Sequence, residues 1–423
     1  MNHNHGLWLR VDEDGRLVLS PELISRYGVK PGVRVCVNEG TSGLYLSRPT
    51  RLLKLYIEPT NQCNLNCRTC IRHNWNVPTG KMSDSVFARV MEGLSDFSPR
   101  PTVFFGGFGE PLSHPKIVEM ITRVKALGAP VELITNGTLL TRDLSQKLIR
   151  AGLDVLWVSL DGATPDSYAG IRPDASLPQV LENVANFREA LYSQVVVSAC
   201  GPTPSFKTLL GIAFVAMKRN IADLPAVLNL ARSFDAKRFL VTNVLPYTKE
   251  MCDEVLYNLA LYEGACPEPI PRLSIPRMDV TESTREPLYW SMRYGKNMTW
   301  AGSNLASANG RCPFIESGAA AISWDGNFSP CLPLLYSHTS FVLDRERLSR
   351  RWIIGNVAEK TLPDLWNAPE HLAFRERVQT FDFAPCTSCG GCDISDSNEE
   401  DCWGNGFPSC GGCLWAQGII QCP

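Results

Sequence analysis

The stretch "EPTNQCNLNCRTCIRHNW", residues 58–75, sets Cys63, Cys67 and Cys70 within eight positions, directly after the apolar run "LLKLYI". Thiols at gaps of three and then two residues, on a loop that follows a strand, form a ligand pattern. In open or barrel-like α/β sheets such loops leave the C-terminal ends of the strands, where sites are built. The stretch therefore predicts both a site and a sheet to carry it.

The count of thiols is informative. Structural zinc takes four protein ligands. Three cysteines with no evident fourth neighbour suit a [4Fe–4S] cluster that keeps one iron open to a small molecule. A partial zinc site is the competing reading. The chain has sixteen cysteines in 423 residues. The N-terminus "MNHNHGLWLRVDEDG" lacks the basic start, apolar core and cleavage site of a signal peptide, so a reducing cytoplasm is expected. There, clustered cysteines are read as metal ligands rather than disulfides. Cys36, Cys200, Cys252 and Cys266 are scattered and read as small buried hydrophobes.

Outward from the cysteine loop, residues 51–247 alternate apolar runs with amphipathic segments. The runs are "LLKLYIEPT", "TVFFGGF", "PVELITN", "DVLWVSLDG", "TLLGIAFVAMK" and "RFLVTNVLPY". Six strands alternating with helices predict an α/β fold: a parallel sheet with right-handed crossovers, curled into a partial (β/α)6 barrel. Residues 248–311, with "CPEPIPRLSIPR", read as linker or irregular structure. From 312 to 423 glycine and cysteine dominate, and "SCGGC" occurs twice, at 388–392 and 409–413.

Residues 1–50 read as a β-rich module, with hairpins around "DEDG" and "NEGTSG" and a short helical piece, "PELISRYG". The run "GRLVLSPELISRYGVKPGVRVCV" resembles the AbrB-like swapped-hairpin domain, whose members often bind DNA as dimers. Residues 7–48 hold six Lys/Arg against five Asp/Glu, so the basic footprint of a DNA reader is missing. Docking or dimerisation is the expected role. A net charge of −2 gives no electrostatic reason for nucleic acid or an anionic membrane. The longest apolar run, "LLGIAFVAM", is too short to span a bilayer.

Taken together, C-x3-C-x2-C after the first strand and "GGFGEPLSHP" after the second resemble the radical S-adenosylmethionine (SAM) superfamily. The resemblance implies that Cys63, Cys67 and Cys70 hold a [4Fe–4S] cluster and that SAM chelates its open iron. Reductive cleavage of SAM would then give a 5′-deoxyadenosyl radical. Gly106, Gly107, Gly109 and Glu110 would cradle the methionine end of SAM. Asn136 after strand three, with Ser159, Asp161 and Arg172 after strand four, would contact its ribose and carboxylate. The competing readings are a helix cap or turn for Asp161 and a surface charge for Arg172. The superfamily often has an aromatic residue before the third cysteine. Here it is Thr69, with Trp75 or His73 as candidate replacements. Glu58 and Asn243, at strand ends, are candidate barrel-lining groups, with a structural role as the alternative.

Further on, C-x13-G-x4-C (Cys312, Gly326, Cys331) is followed by Cys386, Cys389, Cys392, Cys402, Cys410, Cys413 and Cys422. This resembles the SPASM extension, which implies two auxiliary [4Fe–4S] clusters from eight of nine cysteines. A zinc site built from the two C-G-G-C knuckles is the alternative. "DCWGNGFPSCGGCLWAQGIIQCP", with the first loop, resembles the radical SAM maturases associated with tungsten-cofactor oxidoreductases. The implied partners are a tungsten-dependent oxidoreductase, or its peptide or cofactor, and an electron donor such as ferredoxin or flavodoxin. Two other readings stay open: a radical SAM enzyme modifying a ribosomal precursor peptide, and an iron–sulfur sensor with a DNA-binding head.

Overall fold

The computed structural model describes residues 10–18, 20–21, 36–40, 43–47, 51–193, 207–258, 278–279, 281–294, 298–300, 312–389 and 392–423. The chain divides into two units, Met1–Arg51 and Leu52–Pro423.

In the first unit, β1 (Arg10–Val11) and β2 (Leu17–Val18) pair antiparallel. The Asp12 carboxylate accepts the backbone N–H groups of Asp14 (3.0 Å) and Arg16 (2.7 Å), which builds the turn of "DEDG". A second hairpin joins β3 (Cys36–Gly40) to β4 (Gly43–Ser47), with Cys36 opposite Ser47. The expected helix in "PELISRYG" falls, beyond its first residue, outside the described residues, as do Cys200 and Cys266.

In the second unit all six predicted strands are present: β5 (Lys54–Ile57), β6 (Thr102–Phe105), β7 (Val131–Thr135), β8 (Val155–Ser159), β9 (Leu209–Ala216) and β10 (Arg238–Asn243). They lie in chain order, each parallel to the next. Period-two alternation sorts their side chains. Leu55, Ile57, Val103 and Phe105 point to the helical layer, where they meet Phe87, Val90, Ile121 and Val124. Tyr56, Phe104, Trp157 and Leu240 point inward, toward Phe314, Leu414, Trp415 and Ile419 from the C-terminal third. Both faces of the sheet are covered, as a parallel sheet requires.

The helices start where their caps dictate. Ser83 caps Asp84–Leu94 by accepting the Val86 N–H, and Thr141 caps Arg142–Arg150 by accepting the Leu144 N–H.

The structure departs from the sequence-based division in two places. Residues 248–311, expected to be irregular, contain the helix Glu282–Tyr294 and β11 (Met298–Trp300), which extends the sheet parallel to β10. The proline-rich run 266–277 that suggested a linker lies outside the described residues. At the other edge, β12 (Ala319–Ile322) pairs parallel with β5. β13 (Asn327–Ser329) and β16 (Gly355–Asn356) then add antiparallel strands. The cysteine-rich third thus begins as a continuation of the barrel sheet. β14 (His338–Val342) and β15 (Arg345–Ser349) form a separate hairpin whose turn residues, Leu343 and Asp344, have positive φ. No helix among the described residues is long and apolar enough to cross a membrane.

Candidate functional site

The cysteine loop leaves β5 and is closed at its base before it reaches the thiols. Thr60 Oγ1 donates to the Gly80 carbonyl (2.6 Å), and Asn61 Nδ2 donates to that of Pro78 (2.9 Å). Asn61 Oδ1 in turn accepts the Gly80 N–H (2.8 Å). Both side chains are fully buried, so these polar groups had to be paired. Residues 63–73 stand on this base.

Cys63, Cys67 and Cys70 are each half-buried. Cys63 Sγ accepts from the Leu65 N–H (3.4 Å) and from Asn136 Nδ2 (3.8 Å). Cys70 Sγ accepts from Arg72 Nε (3.3 Å). The Arg72 guanidinium also reaches the Leu65 carbonyl, which ties the two ends of the thiol segment together. Burial pushes the Cys63 and Cys67 thiols up, opposed at Cys63 by the Leu65 N–H and Arg72 and at Cys67 by Arg172. N–H groups and guanidinium charges directed at sulfur are the surroundings thiolate ligands need.

"GGFGE" lies against this loop. Gly109 is forced: a Cβ there would overlap the Thr60 carbonyl and lie 2.6 Å from that of Gln62. Gly107 has φ 136°, with Glu58 packed 2.8 Å from where its Cβ would stand. Gly106 would push into the Phe104 ring, and its N–H donates to Ile57 (3.0 Å). The glycines expected to admit a ligand are therefore required first by loop-on-loop packing.

Glu110 is buried, with both oxygens engaged. Oε1 accepts from the Leu112 N–H (3.0 Å) and Thr135 Oγ1 (2.8 Å), and Oε2 accepts from the Asn136 N–H (2.8 Å). Burial raises its pKa, opposed by these three bonds. A carboxylate has about four acceptor sites, so about one is left for a further donor. Asn136 Oδ1 accepts from Thr138, while its Nδ2 faces Asn64 (3.0 Å) and Cys63. Ser159 closes β8, half-buried, opposite Ala213.

Asp161 and Arg172 hold each other. Arg172 Nε (3.0 Å) and Nη2 (2.6 Å) both donate to Asp161 Oδ2, and the Val215 N–H donates to Oδ1 (2.8 Å). Asp161 is fully buried and Arg172 nearly so. Asp161 is thus engaged by the chain itself, while the positive charge of Arg172 opposes the burial-driven rise of the Cys67 thiol. Neither the helix cap nor the surface charge considered from the sequence describes them.

Glu58 bridges the two halves of the unit. Its Oε1 accepts the Phe108 N–H (3.0 Å), and its Oε2 accepts from the Tyr336 hydroxyl. Burial pushes its pKa up to about 7. Trp75, Phe108 and Tyr336 pack edge-to-face around it, at 4.7–5.8 Å between ring centroids. His73 instead contacts the Cys67 carbonyl through Nε2 (2.9 Å). Asn243 donates to the Ile419 carbonyl (2.8 Å) and anchors the tail, which continues inside the sheet. The Gln421 N–H meets Thr242 Oγ1 (2.8 Å), and Lys54 Nζ (2.8 Å) and Tyr56 OH (2.9 Å) donate to the Pro423 oxygen.

The C-terminal cysteines separate into groups. Cys312, Cys331, Cys410 and Cys413 line one cavity. All four are forced upward by burial, Cys312 to about 12. Burial pushes the Cys386 thiol up, opposed by Arg347 and reinforced by Asp401, Cys402 and Cys392. The Cys389 side chain lies outside the described residues. Cys422 sits apart, near Lys54 and Trp415, with its thiol raised to about 11. The zinc alternative would bring the two C-G-G-C knuckles together, yet Cys392 does not line the cavity of Cys410 and Cys413.

Among the described residues, no three or more His, Cys, Asp or Glu side chains converge to hold a single metal ion. Cubane ligands bind separate irons at separate corners, so they ring a space rather than meet at a point. Three buried thiols and one half-buried thiol around one cavity, costly to ionise without a cation, fit such a group.

Thr60, Asn61, Asn64 and Arg72 were not singled out from the sequence. The polar pair Thr60–Asn61, set between an apolar strand and the first thiol, was the available signal.

Residues 57–210 match the Radical SAM superfamily, and residues 312–393 match the SPASM iron-sulfur cluster-binding domain. The chain is 29% identical over 372 residues to the tungsten-containing aldehyde ferredoxin oxidoreductase cofactor-modifying protein of Pyrococcus furiosus, spanning 87% of this chain and 96% of that protein. It is 31% identical over 191 residues to a probable GTP 3',8-cyclase of Methanococcus maripaludis, spanning 45% of this chain and 57% of that one. Among solved structures, Streptococcus suis SuiB bound to S-adenosylmethionine shares the fold with a TM-score of 0.54 at 15% identity, over 81% of this chain and 71% of SuiB. Native anSMEcpe with bound AdoMet gives 0.53, at 17% identity, over 87% of this chain and 96% of that one. The parallel sheet, the thiol loop at its C-terminal edge and the matches over both halves thus agree: the chain carries a Radical SAM superfamily domain and a C-terminal SPASM iron–sulfur domain, which mark it as an enzyme with a [4Fe–4S] cluster and SAM as its implied cofactors.

Proposed function

We propose that this enzyme is a maturase that modifies a tungsten-dependent oxidoreductase or its cofactor. The observation that carries the reading is the Pyrococcus furiosus relative, whose similarity runs through both halves of the chain and almost the whole of that protein. When bound, the cluster and SAM supply one-electron cleavage of the sulfonium and a 5′-deoxyadenosyl radical for hydrogen abstraction. Ferredoxin or flavodoxin is the proposed electron donor.

The chain's own residues prepare the site. Cys63, Cys67 and Cys70 are the proposed ligands of the SAM cluster, with the Leu65 N–H and Arg72 directed at the sulfurs. Glu110 fixes the ends of β6 and β7 and keeps about one acceptor site for the methionine ammonium. Asn136 and Ser159 face the same rim. Arg172, oriented by Asp161, offers a fixed positive charge to the SAM carboxylate or ribose. The Trp75–Phe108–Tyr336 cluster and the tail in the sheet keep water from the interior, which protects a radical from stray hydrogen donors. Cys312, Cys331, Cys410 and Cys413 would hold one auxiliary [4Fe–4S] cluster, and Cys386, Cys389, Cys392 and Cys402 a second.

The test is to produce the oxidoreductase with and without this protein. Without it, the oxidoreductase should lack aldehyde-oxidation activity and carry an unmodified cofactor or residue by mass spectrometry. Activity should return with this protein, SAM and a reductant. Identical mass, cofactor and activity in both samples would reject the tungsten reading and turn attention to precursor-peptide modification.

A further inference from the structure

Arg347, on β15, is 7% exposed, and among the described residues no carboxylate forms an ion pair with it. The nearby acids are engaged elsewhere: Arg345 takes Asp396 at 2.8 Å and Asp393 at 3.8 Å. Arg347 Nη2 donates to the Ser397 carbonyl (3.2 Å). A guanidinium held this deep without a counter-anion is expensive, and an anion is what would repay it.

Its position says which anion. Arg347 lines the cavity ringed by Cys312, Cys331, Cys410 and Cys413, and it also lines the neighbouring cavity beside Cys386. Gly412 records the seat in the sequence, because a Cβ there would fall on the guanidinium. The second glycine of "CGGC" at 410–413 leaves the room that the guanidinium occupies, and the first, Gly411, is required by the Ala384 carbonyl it would otherwise strike.

We propose that Arg347 is a fixed cation shared by the two auxiliary cysteine groups, raising the reduction potential of the cluster on each side. The inference rests on the reading above that each group holds a [4Fe–4S] cluster. A cluster bound by four thiolates gains negative charge on reduction, and a buried positive charge at its edge stabilises the reduced state. Burial opposes the charge on Arg347, and Cys386, Cys413, Cys410 and, last, Asp396, which is ion-paired to Arg345, support it.

The experiment compares full-length wild type, Arg347→Gln and Arg347→Lys after anaerobic reconstitution. Iron is counted per chain, and EPR follows each cluster through a potentiometric titration. About twelve irons are expected in all three, four per cubane. In Arg347→Gln the ratio of reduced to oxidised auxiliary cluster at a fixed potential should fall tenfold or more, a shift of about 59 mV for one electron. Arg347→Lys should stay nearer wild type, and the SAM cluster should not move in either variant. Unchanged auxiliary potentials in Arg347→Gln at full iron content would overturn the proposal. So would equal loss of iron from both variants, which would make Arg347 a packing element. Wild-type protein with about eight irons would instead remove one cluster from the underlying reading, and with it the shared role.

Discussion

At the scale of single residues, the site is held by buried polar groups that answer one another. Asp161 and Arg172 are the sharpest case, and their mutual bonds separate structure from ligand binding. Removing one partner of a buried pair leaves a naked charge, at a cost of about 3–5 kcal/mol. Asp161→Ala should therefore lose stability on that order and weaken SAM binding, because Arg172 is no longer aimed. Pairing it with Arg172→Met should recover much of the stability but none of the SAM affinity. Anaerobic denaturation and SAM titration of the two variants check this; full SAM affinity in the double variant would remove Arg172 from the SAM site. Glu58 gives a pH signature. Burial raises its carboxyl from 4.5 to about 7, so the folded protein binds that proton more tightly than the unfolded chain. The associated stability is fully present below about pH 4.5 and is lost as pH rises through about 7, a difference of a few kcal/mol. Glu58→Gln should flatten that part of the stability profile between about pH 4.5 and 7, measured by anaerobic denaturation. An unchanged slope would show that Glu58 ionises in the fold as freely as in the unfolded chain.

At the scale of elements, the strands and their site loops were legible because their signals are local. Apolar runs alternating with amphipathic segments marked β5 to β10, and cysteine spacing marked the loop after β5. What was not legible depends on contacts distant in the chain. Nothing in "AAAI" announces that β12 pairs with β5, more than 260 positions earlier. Nor does Glu110 reveal that its oxygens are taken up by β7 and its own loop. The glycines of "GGFGE" were legible as a motif but not in their reason. That reason is testable by contrast: Gly109 is wedged against the Thr60 and Gln62 carbonyls, whereas a Cβ added at Gly406 would meet nothing within 4 Å. Gly109→Ala should displace the cysteine loop and reduce iron from about twelve toward about eight per chain, with SAM cleavage lost. Gly406→Ala should keep both. Full iron and SAM cleavage in Gly109→Ala would show that the loop yields to the extra carbon.

At the scale of the whole molecule, the cysteine-rich third does not hang from the barrel. It extends the sheet, covers its inner face and returns a tail along β10 to Lys54 and Tyr56. The sequence showed nine cysteines there but not their grouping, because Cys312 and Cys331 join Cys410 and Cys413 across about eighty to a hundred intervening positions. Local spacing offered pairing of the two similar knuckles only as the alternative, and Cys392 does not line the cavity that Cys410 and Cys413 share with Cys312 and Cys331. The ninth, Cys422, lies near Lys54 and Trp415 and does not itself line the cavity of Cys312, Cys331, Cys410 and Cys413. Iron counting converts this into a whole-chain prediction. Cys410→Ser with Cys413→Ser should bring iron from about twelve to about eight, since one cubane loses half its ligands while the other two keep theirs. Cys422→Ser should stay near twelve. EPR of the reduced proteins should show one auxiliary signal missing in the first variant and none missing in the second. A fall to about eight irons in Cys422→Ser would make Cys422 a ligand and break the division into two groups of four.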